Sequence, residues 1–246
     1  MNQADTWQPE LTDTPMLTPG DIHVWRVRLD VAAGDFEGRY QLLASDERER
    51  ADRFHFSIHR QRFVAGRAAL RCLLGRILGR APEELMFDYS RYGKPFLAGA
   101  SGSDDLRFNT SNSEDLALIA VSREREVGVD LEFMRDGRRL DGIAERFFAS
   151  GEVETLLALE PDRRRAAFYA CWTRKEAYIK AVGAGLSMPL DAFEVSLAPD
   201  EVVALLMTHH NPTEVVRWSM VALEPGSGCA GALCVEGKIG KMSCWE

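Results

Sequence analysis

Three carboxylates in two short segments are the residues of this chain best placed to do chemistry. Val127-Gly128-Val129-Asp130-Leu131-Glu132 alternates as a strand does, so Gly128, Asp130 and Glu132 share one face. Asp130 and Glu132 then project together about 7 Å apart at the backbone, from a rise of roughly 3.3 Å per residue, and can point at one ion. Gly128 keeps the neighbouring position clear for something bulky. Cys171-Trp172-Thr173-Arg174-Lys175-Glu176-Ala177-Tyr178-Ile179-Lys180 reads as helix, with Trp172, Glu176 and Lys180 stacked at i, i+4 and i+8 and Lys175 expected on the same side. A hard cation such as Mg²⁺ takes a few carboxylates and fills its other positions with water and phosphate oxygens. Lysines act as point charges on such phosphates, and one carboxylate can serve as general base toward an incoming hydroxyl.

Taken singly, each segment has a plainer explanation. A strand half in water shows the same acidic alternation, and Glu176 with Lys180 is an ordinary i,i+4 pair worth ~0.2–0.5 kcal/mol. Their coincidence is what points to phosphate chemistry. The chain has no GxxxxGK[ST] loop and no GxGxxG, so phosphates would be held by side chains and scattered amides. Candidates are the arginines between Arg48 and Arg80, including Arg50, Arg62, Arg67 and Arg71, with Arg60, Arg67 and Arg71 expected on one helix face. Lys94 is displayed on the turn Tyr92-Gly93-Lys94-Pro95, and Ser111, Asn112 and Ser113 offer short donors at a chain reversal. The five histidines show no metal-ligand spacing, and no GxSxG nucleophile elbow exists.

The elements that must position these residues follow from pattern. A polar stretch with three prolines, 1–20, reads as a flexible N-terminal extension. Ile22–Leu29 reads as a strand, Ser45 as a helix start, and one long helix covers much of Arg48 to Leu78. Phe108–Ser113 is an extended segment ending in a polar turn. Leu116–Val121 is a buried strand turning through Ser122–Glu126 into Val127–Glu132 as an antiparallel pair. Two helices, Ile143–Leu159 and Arg163–Val182, part near Pro161. Phe193–Leu197 is a strand, and Val215–Leu223 with Ala230–Val235 form a closing hairpin. The order implies an α+β fold of two halves, 21–126 and 127–246, the second carrying the acidic motifs.

At 246 residues with 46% hydrophobic content, the chain can bury a sizeable core. Its net charge of −8 argues against a nucleic-acid partner. Five scattered cysteines without a CxxC pair suggest free thiols rather than disulfides or zinc. No basic-apolar leader and no stretch of ~20 apolar residues is present, so a cytoplasmic protein without a membrane partner is expected.

The two motifs together closely resemble the signature motifs of the 4′-phosphopantetheinyl transferases, and the length resembles that of the larger, monomeric surfactin-synthetase-activating (Sfp-type) branch. The resemblance runs from about Ser45 to Leu197 and includes Arg62-Phe63, Gly66-Arg67, Arg71, Tyr92-Gly93-Lys94-Pro95, Phe108-Asn109-Thr110-Ser111, Arg146-Phe147-Phe148 and Gly185-Leu186-Ser187. It implies two similar, pseudo-twofold α+β halves with the active site at their interface, and a monomer. It implies transfer of the phosphopantetheine arm of coenzyme A to a serine of an apo acyl, peptidyl or aryl carrier protein domain, releasing adenosine 3′,5′-bisphosphate. Asp130, Glu132 and Glu176 would hold Mg²⁺, with Mn²⁺ as an alternative. Glu176 would deprotonate the serine, and Lys180 would contact the transferred phosphate. Arg50, Arg62, Arg67, Lys94, Ser111, Asn112 and Lys175 would complete the coenzyme A contacts. Members of the family usually carry His where Asn112 stands; an amide donates only a neutral hydrogen bond. Glu47 likewise stands where some members carry a basic residue. Two other readings are a homologue that binds coenzyme A or carrier without turnover, and a metal-dependent phosphohydrolase using water as acceptor.

Overall fold

A computed structural model describes residues 7–9, 16–30, 32–99, 105–136 and 140–246. The strands are β1 (Ile22–Arg28), β2 (Phe87–Tyr89), β3 (Pro95–Leu97), β4 (Leu106–Ser113), β5 (Leu116–Arg123), β6 (Val127–Phe133), β7 (Phe193–Val195), β8 (Leu205–Thr208), β9 (Trp218–Leu223), β10 (Cys229–Glu236) and β11 (Met242–Trp245). The α-helices are α1 (Phe36–Gln41), α2 (Ser45–Asp52), α3 (Ser57–Leu78), α4 (Leu140–Phe147), α5 (Ser150–Ala158), α6 (Pro161–Val182) and α7 (Glu214–Arg217).

Two sheets back onto each other, one in the order β11-β1-β5-β4 and the other β6-β10-β9. Between them Ile22, Val24, Leu116 and Leu118 meet Val129, Leu131 and Leu233 in one apolar cluster. The opposite face of the first sheet, with Phe108, Ile119 and Val121, packs on Leu70, Leu73 and Leu74 of α3. On the far side of the second sheet, Ala232 and Cys234 pack with Ala177 and Ala181 of α6. The result is helix, sheet, sheet, helix: an α+β fold of two similar halves. Both long helices stop at a left-handed glycine, Gly79 (φ 65°) after α3 and Gly183 (φ 72°) after α6.

Several expectations are corrected. The long helix is two, α2 and α3, because the chain turns extended at Phe56; this lets Phe54 fold back on Phe63 (ring centroids 5.4 Å) and Arg60 reach Asp52 (2.7 Å). The segment 143–159 is likewise two helices, α4 and α5. β5 and β6 do not pair. Both edges of β5 are taken, by β1 and β4, so β6 crosses to the other sheet and pairs with β10. Ser111, Asn112 and Ser113 lie within β4 rather than on a turn. From the far end of the chain, β11 runs parallel to β1 and completes the first sheet. Within 1–20, Gln8 bridges Trp245 and Leu17 is buried, whereas 1–6 and 10–15 lie outside the described residues. Among the described residues no helix is long and apolar enough to cross a membrane.

His23, on β1, is buried against the edges of Trp25 and Trp245, and its Nδ1 has no hydrogen-bond partner. Burial lowers its pKa from 6.5 to about 4, Asp21 pulling it up and Lys241 pushing it down. Because the unfolded chain binds the proton first, His23 drains stability as pH falls from about 6.5 to about 4, by roughly 3 kcal/mol when complete. His23→Phe should remove this component, so that the stability difference between variant and wild type, followed by urea unfolding, grows in the variant's favour across that window. A difference independent of pH would refute it.

Candidate active site

The site lies where the outer edges of β4 and β6 meet. Alternation on β4 turns Asn109, Ser111 and Ser113 toward β6. Asn109 Oδ1 accepts from the Val129 amide (2.9 Å), Ser111 Oγ donates to Asp130 Oδ1 (2.9 Å), and Ser113 Oγ donates to Glu132 Oε2 (3.1 Å) and accepts from the Phe133 amide (3.1 Å). These side chains replace the backbone ladder that the two sheets lack here. Ser111 and Ser113 were legible as short donors; Asn109 was missed, although Asn-x-Ser-x-Ser at period two is its signal.

Helix α6 lies directly on β6. A β-carbon at Gly128 would fall 2.1 Å from the Ala177 carbonyl oxygen and 2.3 Å from the Ala181 amide nitrogen, so the bulky neighbour that Gly128 admits is the helix backbone itself. Lys180 is thereby brought to Asp130: its Nζ donates to Asp130 Oδ1 (2.6 Å), Ser111 Oγ (2.9 Å) and Val129 O (3.2 Å). Asp130 is 4% exposed, and its Oδ2 is buried with no hydrogen-bond partner. Burial, reinforced by the Asp130 charge, raises the pKa of Glu132 and of Glu176.

Beside this cluster is a cavity of about 710 Å³ lined by Arg50, Arg62, Arg67, Lys94, Ser111, Asn112, Glu176 and Lys180, with Arg135 and Glu114 also in its wall. Of the residues expected to contact coenzyme A, only Lys175 is elsewhere. It is fully buried on another side of α6, paired with Glu152 (2.7 Å) and donating to the carbonyls of Phe193 (2.6 Å) and Leu190 (2.7 Å). Five residues of helix separate it from Lys180 by roughly 140°, which is why both cannot face one ligand. Glu47 does not border the cavity: it is buried, accepts from the Ala44 amide at the start of α2, and pairs with Arg67 (2.5 Å) and Arg71 (2.6 Å). Arg71 is 1% exposed and also donates to Pro82 and Leu85 carbonyls, while Arg60 is turned to Asp52, so the expected face of Arg60, Arg67 and Arg71 serves packing except at Arg67.

Lys94 is held by Glu126 (2.9 Å) and the Val127 carbonyl (3.2 Å). Arg50 lies over the Phe63 ring (4.8–5.9 Å being the range of such stackings here; 5.2 Å for this one). A larger cavity of about 1070 Å³ lies near Arg26, Arg28 and Cys229, but Arg26 is already turned to Glu246 and Arg28 to Asp115, and none of the acidic-motif residues reaches it.

Among the described residues no three His, Cys, Asp or Glu side chains are gathered closely enough to enclose a metal ion. The acidic set nevertheless suits one. Asp130 Oδ2 is an oxygen with an open coordination position, and Glu176 feels the charges of both Asp130 and Glu132.

The two α+β halves thus carry acidic motifs on β6 and α6 beside a cavity lined by arginine and lysine. Residues 126–234 match the 4′-phosphopantetheinyl transferase superfamily, and residues 31–124 match the 4′-phosphopantetheinyl transferase N-terminal family. The chain is 38% identical to the 4′-phosphopantetheinyl transferase HetI of Nostoc sp. over 94% of both chains. It is 33% identical to a 4′-phosphopantetheinyl transferase of Bacillus subtilis over 78% of this chain and 84% of that one. With Sfp of Bacillus subtilis strain 168 the identity is 31%, over 75% and 79% of the two chains. The protein belongs to the 4′-phosphopantetheinyl transferase superfamily, in its Sfp-type branch.

Two substitutions separate scaffold from site. Gly128→Ala forces backbone away from backbone and should cost about 3 kcal/mol or more, seen as a large fall in the unfolding midpoint; a midpoint near wild type would mean α6 does not rest on Gly128. Lys175→Met strands Glu152 and two carbonyls and should cost ~3–5 kcal/mol, while Lys175→Met with Glu152→Gln recovers part of it. Unchanged stability in the single variant would put Lys175 back among ligand contacts.

Proposed function

We propose that this protein transfers the 4′-phosphopantetheine moiety of coenzyme A to a serine hydroxyl of an apo carrier protein domain, acyl, peptidyl or aryl, and releases adenosine 3′,5′-bisphosphate. The observation that carries this reading is the buried, half-satisfied Asp130 against Lys180 at the wall of a cavity rich in arginine and lysine. Coenzyme A is the donor whose pyrophosphate suits that wall. Arg50, Arg62, Arg67 and Lys94 would grip its phosphates, with Ser111 and Asn112 donating hydrogen bonds; Asn112 does so without the charge a histidine could add.

Asp130, Glu132 and Glu176 would hold Mg²⁺, or Mn²⁺ in its place, which when bound neutralises pyrophosphate charge. The carrier serine Oγ bonds to the phosphorus that bears the pantetheine arm, and the bond from that phosphorus to the bridging oxygen breaks. The electron pair leaves on the 5′-phosphate of adenosine 3′,5′-bisphosphate. The serine proton passes to Glu176. Lys180 stabilises charge on the transferred phosphate. All these groups come from one chain, so a monomer suffices, and the reaction needs no membrane or nucleic acid.

The test is to incubate the protein with coenzyme A, Mg²⁺ and apo carrier domains and to weigh the carriers. A gain of one phosphopantetheine arm is expected, and Asp130→Ala and Glu176→Ala should each lower turnover by orders of magnitude in a folded protein. No mass gain across several carriers would leave a binding homologue, and hydrolysis of coenzyme A without carrier modification would indicate a phosphohydrolase. Near-normal turnover in either variant would overturn the acidic site.

A further inference from the structure

One carboxylate in the cavity wall has no place in that chemistry. Glu114 is the first of the two residues that turn β4 into β5, Ser113 and Leu116 being the flanking partners. Its φ of 51° is left-handed, and among the described residues only Glu124 shares that conformation without being glycine. Tight turns of this kind favour Gly, Asn or Asp, so the glutamate is not there for the backbone.

Its side chain spans the cavity mouth. Glu114 Oε2 accepts from Arg62 Nη1 (3.2 Å) on α3, and Glu114 Oε1 pairs with Arg135, which follows β6. One arginine comes from each half, and both border the cavity. The two pairs contribute little to folding, because Glu114 is 38% and Arg135 54% exposed and water screens them. A carboxylate at this point has the wrong sign for a phosphate site, unless its purpose is to be displaced.

We propose that Glu114 is an exchangeable counter-ion that sets the affinity of this cavity for polyphosphate ligands: it occupies Arg62 and Arg135 in the free protein and yields them to the ligand's phosphates. The consequence is weaker holding of donor and of bisphosphate product alike, which suits a site that must empty after each transfer. This specificity role rests on the reading of the cavity as a coenzyme A site.

The experiment is calorimetric titration of the full chain, wild type against Glu114→Gln, Glu114→Gly and Glu114→Asp, with coenzyme A, adenosine 3′,5′-bisphosphate and inorganic pyrophosphate as separate probes. The Gln and Gly variants should bind roughly three- to tenfold tighter, the scale of one or two screened ion pairs, with a steeper salt dependence. The Asp variant, which keeps the charge and tolerates the backbone, should stay near wild type. In turnover with carrier, Glu114→Gln should lower KM for coenzyme A without raising kcat. Equal or weaker binding by Glu114→Gln overturns the proposal and would make Glu114 a clamp that positions its arginines. Wild type that binds pyrophosphate but not coenzyme A removes the coenzyme A reading and leaves the counter-ion proposal to be judged on pyrophosphate. Wild type that binds none of the three overturns both.

Discussion

The site depends on how closely one helix approaches one strand. At Gly128 the backbone of α6 comes within a distance that no β-carbon would permit, 2.1 Å from its position to the Ala177 carbonyl oxygen. The acidic motifs and Lys180 lie within a few residues of that contact. Asp130 and Glu132 follow Gly128 on the same strand face at period two, while Glu176 and Lys180 flank Ala177 along the helix. A larger residue at 128 would lift the helix and carry Glu176 and Lys180 away from Asp130 together. The glycine therefore sets the register of the acidic group through sterics alone, without contacting a ligand.

A second constraint is the satisfaction of polar atoms at the seam between the sheets. β4 and β6 are edge strands that face each other without a backbone ladder. Asn109, Ser111 and Ser113 supply the missing partners, and Ser111 then belongs to two systems at once, the seam and the Asp130–Lys180 pair. The two lysines of α6 illustrate the same rule from opposite sides. Lys175 is satisfied by Glu152 and two carbonyls in a closed interior, so it has no donor left for a ligand. Lys180 is 27% exposed at the cavity and paired with a carboxylate that retains an unpartnered oxygen. Similar residue types on one helix thus take structural and chemical roles according to which surface the helix buries.

Most elements were legible because their pattern reports burial: β5 is an apolar run closed on both faces, and β6 is closed by the other sheet on one face and by α6 on the other. What failed depended on information that is not local. The separation of β5 from β6 follows from β1 and β4 having taken both edges of β5, which no reading of the turn between them reveals. The return of β11 to β1 is equally non-local. Lys175 was placed with the site because sequence spacing shows which residues neighbour each other on a helix, not how wide a stripe the neighbouring core covers; Glu152, its partner, lies on another helix. Arg71 was counted among the phosphate candidates and Glu47 was read at a position where some relatives carry a basic residue, since a buried ion pair leaves no mark in either segment alone. The acidic motifs were readable because strand and helix periods each fix a facing direction, and Gly128 marked where the two would meet.

Net charge and local charge differ in this protein. The chain carries a net charge of −8, yet among the described residues six cationic side chains, Arg50, Arg62, Arg67, Lys94, Arg135 and Lys180, border the cavity beside two carboxylates, Glu114 and Glu176, while Asp30, Glu47, Glu126 and Asp130 pair with Arg62, Arg67, Lys94 and Lys180 without bordering it. Beyond roughly a Debye length of ~8–10 Å the net charge is screened; within it the groups that border the cavity set the field. A long polyanion would lie mostly across the repelling exterior, whereas a compact polyphosphate can sit wholly inside the positive wall. The same arrangement gives Glu114 leverage, because among the described residues it is one of two carboxylates that border the cavity directly.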